Sequence, residues 1–187
     1  MVHMAKEIEL DILEIDKAEA EARLRALGAR KVATHNFRRV VFRLPSVKGL
    51  EKWARVRTDG KVTTLTFKSQ KGKGLSNTEE VETRVEDFKS AVMILWRIVG
   101  NGIYEENVRH EYRLGGMQVT LDKWPAIGWL MEIEGASEHE VMTLYRKLHI
   151  RGRPVGNISE SKAYALCGVD RDEAMKAGAR KLRALLK

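Results

Sequence analysis

Carboxylates and cationic side chains recur at alternate positions in short segments along this chain. Glu7, Glu9 and Asp11 form the first set, Arg39 and Arg43 the second, Arg55 and Arg57 the third, and Lys68 stands in the fourth. Glu80, Glu82 and Arg84 follow, then Arg109, Asp122, and the pair Glu132 and Glu134. Carboxylate oxygens hold hard cations such as Mg²⁺ or Mn²⁺. Arg and Lys hold phosphate oxygens, Arg through two parallel N–H donors. One such set describes an ordinary solvated sheet face. Repeated through eight segments, the pattern requires that many charges share one surface.

The elements that must position them follow from periodicity. Residues 6–15 alternate, with Ile8, Leu10 and Ile12 opposite the acids, which predicts a strand. Asp16 caps a helix to Leu27 that Gly28 ends. Residues 32–44 read as a long strand closed by Pro45, and 53–57 with 62–68 as a hairpin turning at Asp59-Gly60. Residues 70–77 read as a polar loop and 79–85 as a strand, and Asp87 caps a helix to Val99. A second hairpin joins 107–114 to 117–123 through Gly115-Gly116, and 129–134 is the last strand. Ser137 with Glu140 forms a capping box, and the last 30 residues read as helical, with Ser159 and Asp170 as caps. The expected fold is α+β: an eight-stranded antiparallel barrel with a charged interior and helices covering its apolar outside. Buried charges must then pair or bind something.

Composition agrees with this and sets limits. The 187 residues suffice for one domain, with 43% hydrophobic and 32% charged residues, a globular balance. Lys and Arg number 34 against 26 Asp and Glu, a net charge of +8 that favours a polyanionic partner. The single cysteine, Cys167, excludes an internal disulfide and any cysteine-rich zinc site. Apolar stretches such as 91–96 are too short to span a bilayer, and residues 1–4, with methionines at 1 and 4, carry no signal-peptide core. A cytoplasmic location is expected.

Taken in order, these motifs resemble the CYTH domains, the triphosphate tunnel enzymes that include class IV adenylyl cyclases, thiamine triphosphatases and inorganic triphosphatases. Glu7-Ile8-Glu9 resembles the N-terminal acidic signature, Arg55-Val56-Arg57 the Arg-x-Arg strand, and Leu65-Thr66-Phe67-Lys68 its lysine-bearing partner. Glu80-Val81-Glu82 resembles the central acidic strand, and Arg109 to Tyr112 the later basic strand. Asp122, followed by Glu132-Ile133-Glu134, looks like the C-terminal acidic pair. The likeness implies a tunnel domain over residues 5–169, with 170–187 a helical tail of the same domain. It also implies metal ligands Glu7, Glu9, Asp122, Glu132 and Glu134, and a phosphate grip of Arg39, Arg43, Arg55, Arg57, Lys68, Arg84 and Arg109. Glu9, Arg57 and Lys68 are the implied catalytic groups, and Glu80 and Glu82 have open roles. The signature lysine is Asp11 here, which is read as a charge swap pairing Asp11 with Arg39 or Arg43. The implied activity is metal-dependent triphosphate hydrolysis, with cyclisation of ATP or binding without turnover as alternatives. The implied partner is tripolyphosphate, thiamine triphosphate or ATP, with neither membrane nor nucleic acid, and the protein a monomer or homodimer.

The remaining candidates are bland. His3, His35, His110, His139 and His149 have no metal-binding spacing, and alternation points His110 away from the lumen. Cys167 reads as a packed thiol, Trp96 and Trp124 as structural, and Trp129 as a rim residue that could touch a ring of the substrate. The 71–73 loop reads as a solvated turn and 171–187 as an amphipathic surface helix.

Overall fold

The computed structural model describes residues 5–72 and 74–187, so His3, Lys73 and the two methionines at 1 and 4 lie outside the described residues. The chain is α+β. Ten antiparallel strands form one curled sheet, and six helices pack on it. The strands are β1 (Ala5–Glu7), β2 (Glu9–Leu13), β3 (Arg30–Arg43), β4 (Leu50–Thr58), β5 (Thr63–Lys71), β6 (Thr78–Val85), β7 (Ile103–Leu114), β8 (Met117–Trp124), β9 (Gly128–Glu134) and β10 (Arg153–Gly156). The helices are α1 (Lys17–Ala26), α2 (Phe88–Val99), α3 (Glu138–Leu148), α4 (Glu160–Leu166), α5 (Arg171–Ala174) and α6 (Lys176–Leu185). Across the sheet the order is β1-β6-β5-β4-β3-β7-β8-β9-β2-β10.

Two differences separate ten strands from the eight expected. The first strand breaks at Ile8, where the chain changes partner. Glu7 and its neighbours pair with β6, while Glu9 onward pairs with β9. At the break the Glu9 N–H donates to the Leu75 carbonyl at 3.0 Å, and the Ile8 carbonyl accepts from the Gly135 N–H at 3.2 Å. One segment thus serves both sides of the curled sheet. The second difference is β10, too short to show a period and carrying Pro154. It pairs with β2 as an edge strand, where a missing N–H is tolerated.

Local rules account for the other boundaries. Asp16, Asp87 and Ser137 each accept the N–H three residues on, and Gly28 and Gly100 adopt the left-handed backbone that ends a helix. Ser159 is the N-cap of α4, as expected, but makes no side-chain capping bond; its hydroxyl donates to Glu51 at 3.0 Å. Asp59 accepts the N–H groups of Lys61 and Val62 at 2.9 and 3.0 Å and sets the β4–β5 turn, with Gly60 at φ +89°.

The outer face is apolar and covered. Leu10, Ile12, Val119, Leu121 and Ile133 pack under Leu24 of α1 and Val141, Leu144 and Leu148 of α3. Val40, Phe42, Ala54 and Val56 pack under Phe88 and Val92 of α2 and Leu182 of α6. A third cluster lies on the inner face, where Leu13, Trp124 and Leu130 border the cavity and pack against Ala163 and Tyr164 of α4 and Met175 between α5 and α6. Trp129 lies on the outer face, not at a rim: it meets His110 edge-on at 5.3 Å, with the Lys17 ammonium 5.4 Å from its ring. No helix among the described residues is long and apolar enough to cross a membrane.

Helix α6 approaches β7 so closely that a Cβ at Gly178 would strike the Tyr104 carbonyl oxygen. Gly178→Ala, which in a free helix stabilises by about 1 kcal/mol, is therefore expected to destabilise the fold by about 1–3 kcal/mol. Denaturant unfolding of the two proteins measures this sign reversal.

Candidate functional site

Because the apolar face of each strand is outward, alternation sends the charged residues inward. There they line a cavity of about 260 Å³. Glu7, Glu9, Asp11, Lys68, Glu80, Glu82, Glu132, Glu134, Arg39, Arg55, Arg57 and Arg109 all border it. The structure brings these together. It places Arg43 and Arg84 elsewhere. Arg43 is exposed and donates to Ser161 at 2.7 Å, and Arg84 is exposed near the end of β6.

One side of the cavity is acidic. The β2–β9 register sets Glu9 opposite Glu134 and Asp11 opposite Glu132. Like charges so placed repel. One oxygen each from Glu9, Asp11 and Glu132 lies within 4.8 Å of the others. Burial, and then the neighbouring carboxylates, push Glu9 and Asp11 well above the usual carboxylate range, although the Ile158 N–H donates to Asp11 Oδ2 at 2.9 Å. Burial and Glu132 also raise Glu134. Burial moves Glu7 up to about 7 against the pull of Lys68. The Lys68 ammonium sits 2.8 Å from Glu7 and 2.7 Å from Glu80, and these acids more than offset its desolvation, so its pKa rises.

The other side is cationic. Arg109 is engaged: its guanidinium donates to Asp122 at 2.9 Å and to Glu132 at 2.5 Å. Asp122, 0% exposed, also accepts from Thr120 at 3.1 Å and from Asn107. It supports Arg109 and is not one of the clustered Glu9, Asp11 and Glu132 carboxylates. Arg39 is 1% exposed, lies 4.7 Å over the Trp124 ring, bonds Asn107, and reaches Glu160 at 3.5 Å. Arg55 and Arg57 share Glu82 at 3.8 and 3.7 Å, and the Arg57 guanidinium lies 4.5 Å from the Phe37 ring. Burial, and then Arg55, Arg39 and Arg109, hold Arg57 well below the usual guanidinium range. Such crowding of like charge marks a place where an anion is stabilised.

Asp11 lies within ion-pair distance of neither Arg39 nor Arg43. The expected charge swap gives way to a third carboxylate beside Glu9 and Glu132. Sequence reasoning missed Glu160. Burial would raise its carboxyl, but Arg39 and Arg55 overcome that and hold it at about 2. It stands on a helix, outside the alternation that revealed the others, and a Glu in a first helical turn has an ordinary electrostatic explanation. Phe37, Thr66, Thr120 and Asn157 were missed too, since neutral side chains carry no charge signal.

No protein-family model and no curated protein matches this sequence. Solved structures do resemble it. The PH1012 protein of Pyrococcus horikoshii OT3 is 22% identical over 78% of this chain and 91% of its own, with a TM-score of 0.66. A candidate adenylate cyclase of Vibrio parahaemolyticus is 13% identical over 87% of this chain and 99% of its own, at 0.62. HpAC1 of Hippeastrum, a candidate adenylyl cyclase described as having a dominant triphosphatase activity, is 16% identical over 88% and 97%, at 0.60. What these share with this chain is the fold.

The acidic side makes the metal-free protein sensitive to pH. Glu7, Glu9, Asp11 and Glu134 hold protons more tightly folded than unfolded. Their full contribution is therefore present below the unfolded pKa, near 4.5 for Glu, and is lost as pH rises through the folded values, about 7 for Glu7. Thermal unfolding in chelator should show stability falling between those limits. Asp11→Asn removes one of the groups whose proton the fold holds, and should lessen this fall of stability with rising pH.

Proposed function

We propose that this chain is a divalent-metal-dependent triphosphatase of the triphosphate tunnel type, hydrolysing a triphosphate held inside the curled sheet. One observation carries the reading: a guanidinium pair, Arg55 and Arg57, with the single carboxylate of Glu82 shared between them, borders the same polar cavity as a three-carboxylate cluster. A metal-bound triphosphate brings the complement to both. The size of the cavity agrees. At about 260 Å³ it falls below the range typical for a whole drug-sized ligand, so the phosphates enter and any attached organic group stays outside. The activity described for the Hippeastrum protein supports the hydrolytic reading.

The donor set fits Mg²⁺ or Mn²⁺. Glu9, Asp11 and Glu132 offer only oxygen, and the first two hold their protons because of burial and then of the neighbouring carboxylates, whose mutual repulsion a cation would relieve. Glu7 and Glu134 border the same space. When bound, the ion supplies Lewis-acid stabilisation of phosphoryl oxygens and a water of lowered pKa. The chain's own residues do the rest. Arg55 and Arg57 grip the non-bridging oxygens, whose charge spreads as the terminal P–O bond breaks. Lys68, held between Glu7 and Glu80, presents its ammonium to the cavity. Asp122 fixes Arg109, which in turn fixes Glu132. Water adds to the terminal phosphorus, the bridging oxygen leaves with the shortened chain, and orthophosphate is released.

Purified protein should release phosphate from tripolyphosphate, thiamine triphosphate or ATP with Mg²⁺ or Mn²⁺, and not in chelator. Arg57→Ala and Glu9→Gln should each lower kcat/KM by about 10²–10³ while remaining folded by circular dichroism. Cyclic AMP from ATP without phosphate release would turn the assignment to a cyclase. Stabilisation by tripolyphosphate without turnover would make the protein a binder.

A further inference from the structure

Arg57 stands where repulsion works against it. The β3–β4 register sets it directly opposite Arg39, and like charges so paired repel. Arg39 is well held: it bonds Asn107, lies 4.7 Å over the Trp124 ring and reaches Glu160 at 3.5 Å. Arg57 has less. Its carboxylate contact, to Glu82, is 3.7 Å long, beyond good hydrogen-bond range, and Glu82 is shared with Arg55 at 3.8 Å. The Arg57 guanidinium also lies over the Phe37 ring, 4.5 Å from its centroid, and the Arg39 guanidinium is 5.7 Å from the same ring.

Alternation along β3 places His35, Phe37 and Arg39 in one row. The ring in the middle of that row is itself fixed. The His35 imidazole stacks on it, with centroids 4.9 Å apart and planes 9° from parallel. His35 in turn lies 3.0 Å from Asp59 and 3.6 Å from Glu111. Phe37 borders a different cavity, with Asn107 and Trp124, and meets the polar one through the arginines. A carboxylate placed on Arg57 as its anchor would cancel the charge and occupy N–H donors. An aromatic face attracts a guanidinium through the ring quadrupole and leaves the net charge in place. We infer that Phe37 is a positioning residue for Arg57: its ring holds the guanidinium beside Arg39 while leaving the positive charge available to an anion in the cavity. This inference rests on the proposed triphosphate site and adds a neutral residue to its grip.

Replacing Phe37 with mono-, di- and trifluorophenylalanine weakens the ring quadrupole stepwise with little change of shape. With tripolyphosphate and Mg²⁺, kcat/KM should fall at each step, by about tenfold for the trifluoro ring, the loss expected of a partly desolvated cation–π contact. The order parameter of the Arg57 Nε–H bond, from ¹⁵N relaxation of the ligand-free protein, should fall in parallel from about 0.85 to below about 0.6. Phe37→Leu, which keeps an apolar side chain without a ring, should match the trifluoro protein. A merely structural role follows shape, so either readout left unmoved by fluorine would overturn the inference. Should Phe37→Leu fold poorly, the fluorinated series decides without it. If the native protein neither binds nor hydrolyses tripolyphosphate, the triphosphate reading itself fails, and the order parameter still decides whether Phe37 holds Arg57.

Discussion

Charge compensation inside a low-dielectric cavity is the constraint on which the rest of this structure depends. An ionised side chain taken out of water costs several kcal/mol unless a partner is built beside it. Most of the interior obeys. Lys68 lies between Glu7 and Glu80, Arg109 between Asp122 and Glu132, and Arg171 against Glu105. What remains is a surplus of each sign, negative at Glu9 and Asp11 and positive at Arg55 and Arg57. The two surpluses border the same space, and their presence together gives the cavity its chemical character.

The same constraint shapes the outside. A sheet that turns its charged face inward must turn its aliphatic face outward, and every helix that covers it then becomes obligatory. Helices α1 and α3 cover one part, and α2 and α6 another. The C-terminal helices do two things at once. They seal apolar residues at the end of the cavity, and they deliver a carboxylate into it.

The fold was legible wherever periodicity was long enough to read. Strands such as β3 and β7 have many residues and a clear alternation, and the caps at Asp16, Asp87 and Ser137 are chemical signals local to a few residues. The break at Ile8 was not legible, because a change of partner leaves the alternation intact, and what decides it is distant backbone at Leu75 and Gly135. Inward direction alone did not make a site residue, as Arg43 and Arg84 show: position along the strand decides, and alternation is silent about it. Glu160 and Phe37 act through tertiary placement, which no pattern within their own segments encodes.

The single-residue switch at Ile8 also bears on how the molecule assembles. The segment holding Glu9 and Asp11 precedes β9 and β10, which flank it, by more than a hundred residues. Until they arrive it has no neighbour on that side, and the three carboxylates cannot meet. The three-carboxylate cluster is therefore absent from any partly folded species in which β9 is not yet in place. Whatever that cluster binds thus rewards completion of the sheet and leaves earlier intermediates untouched.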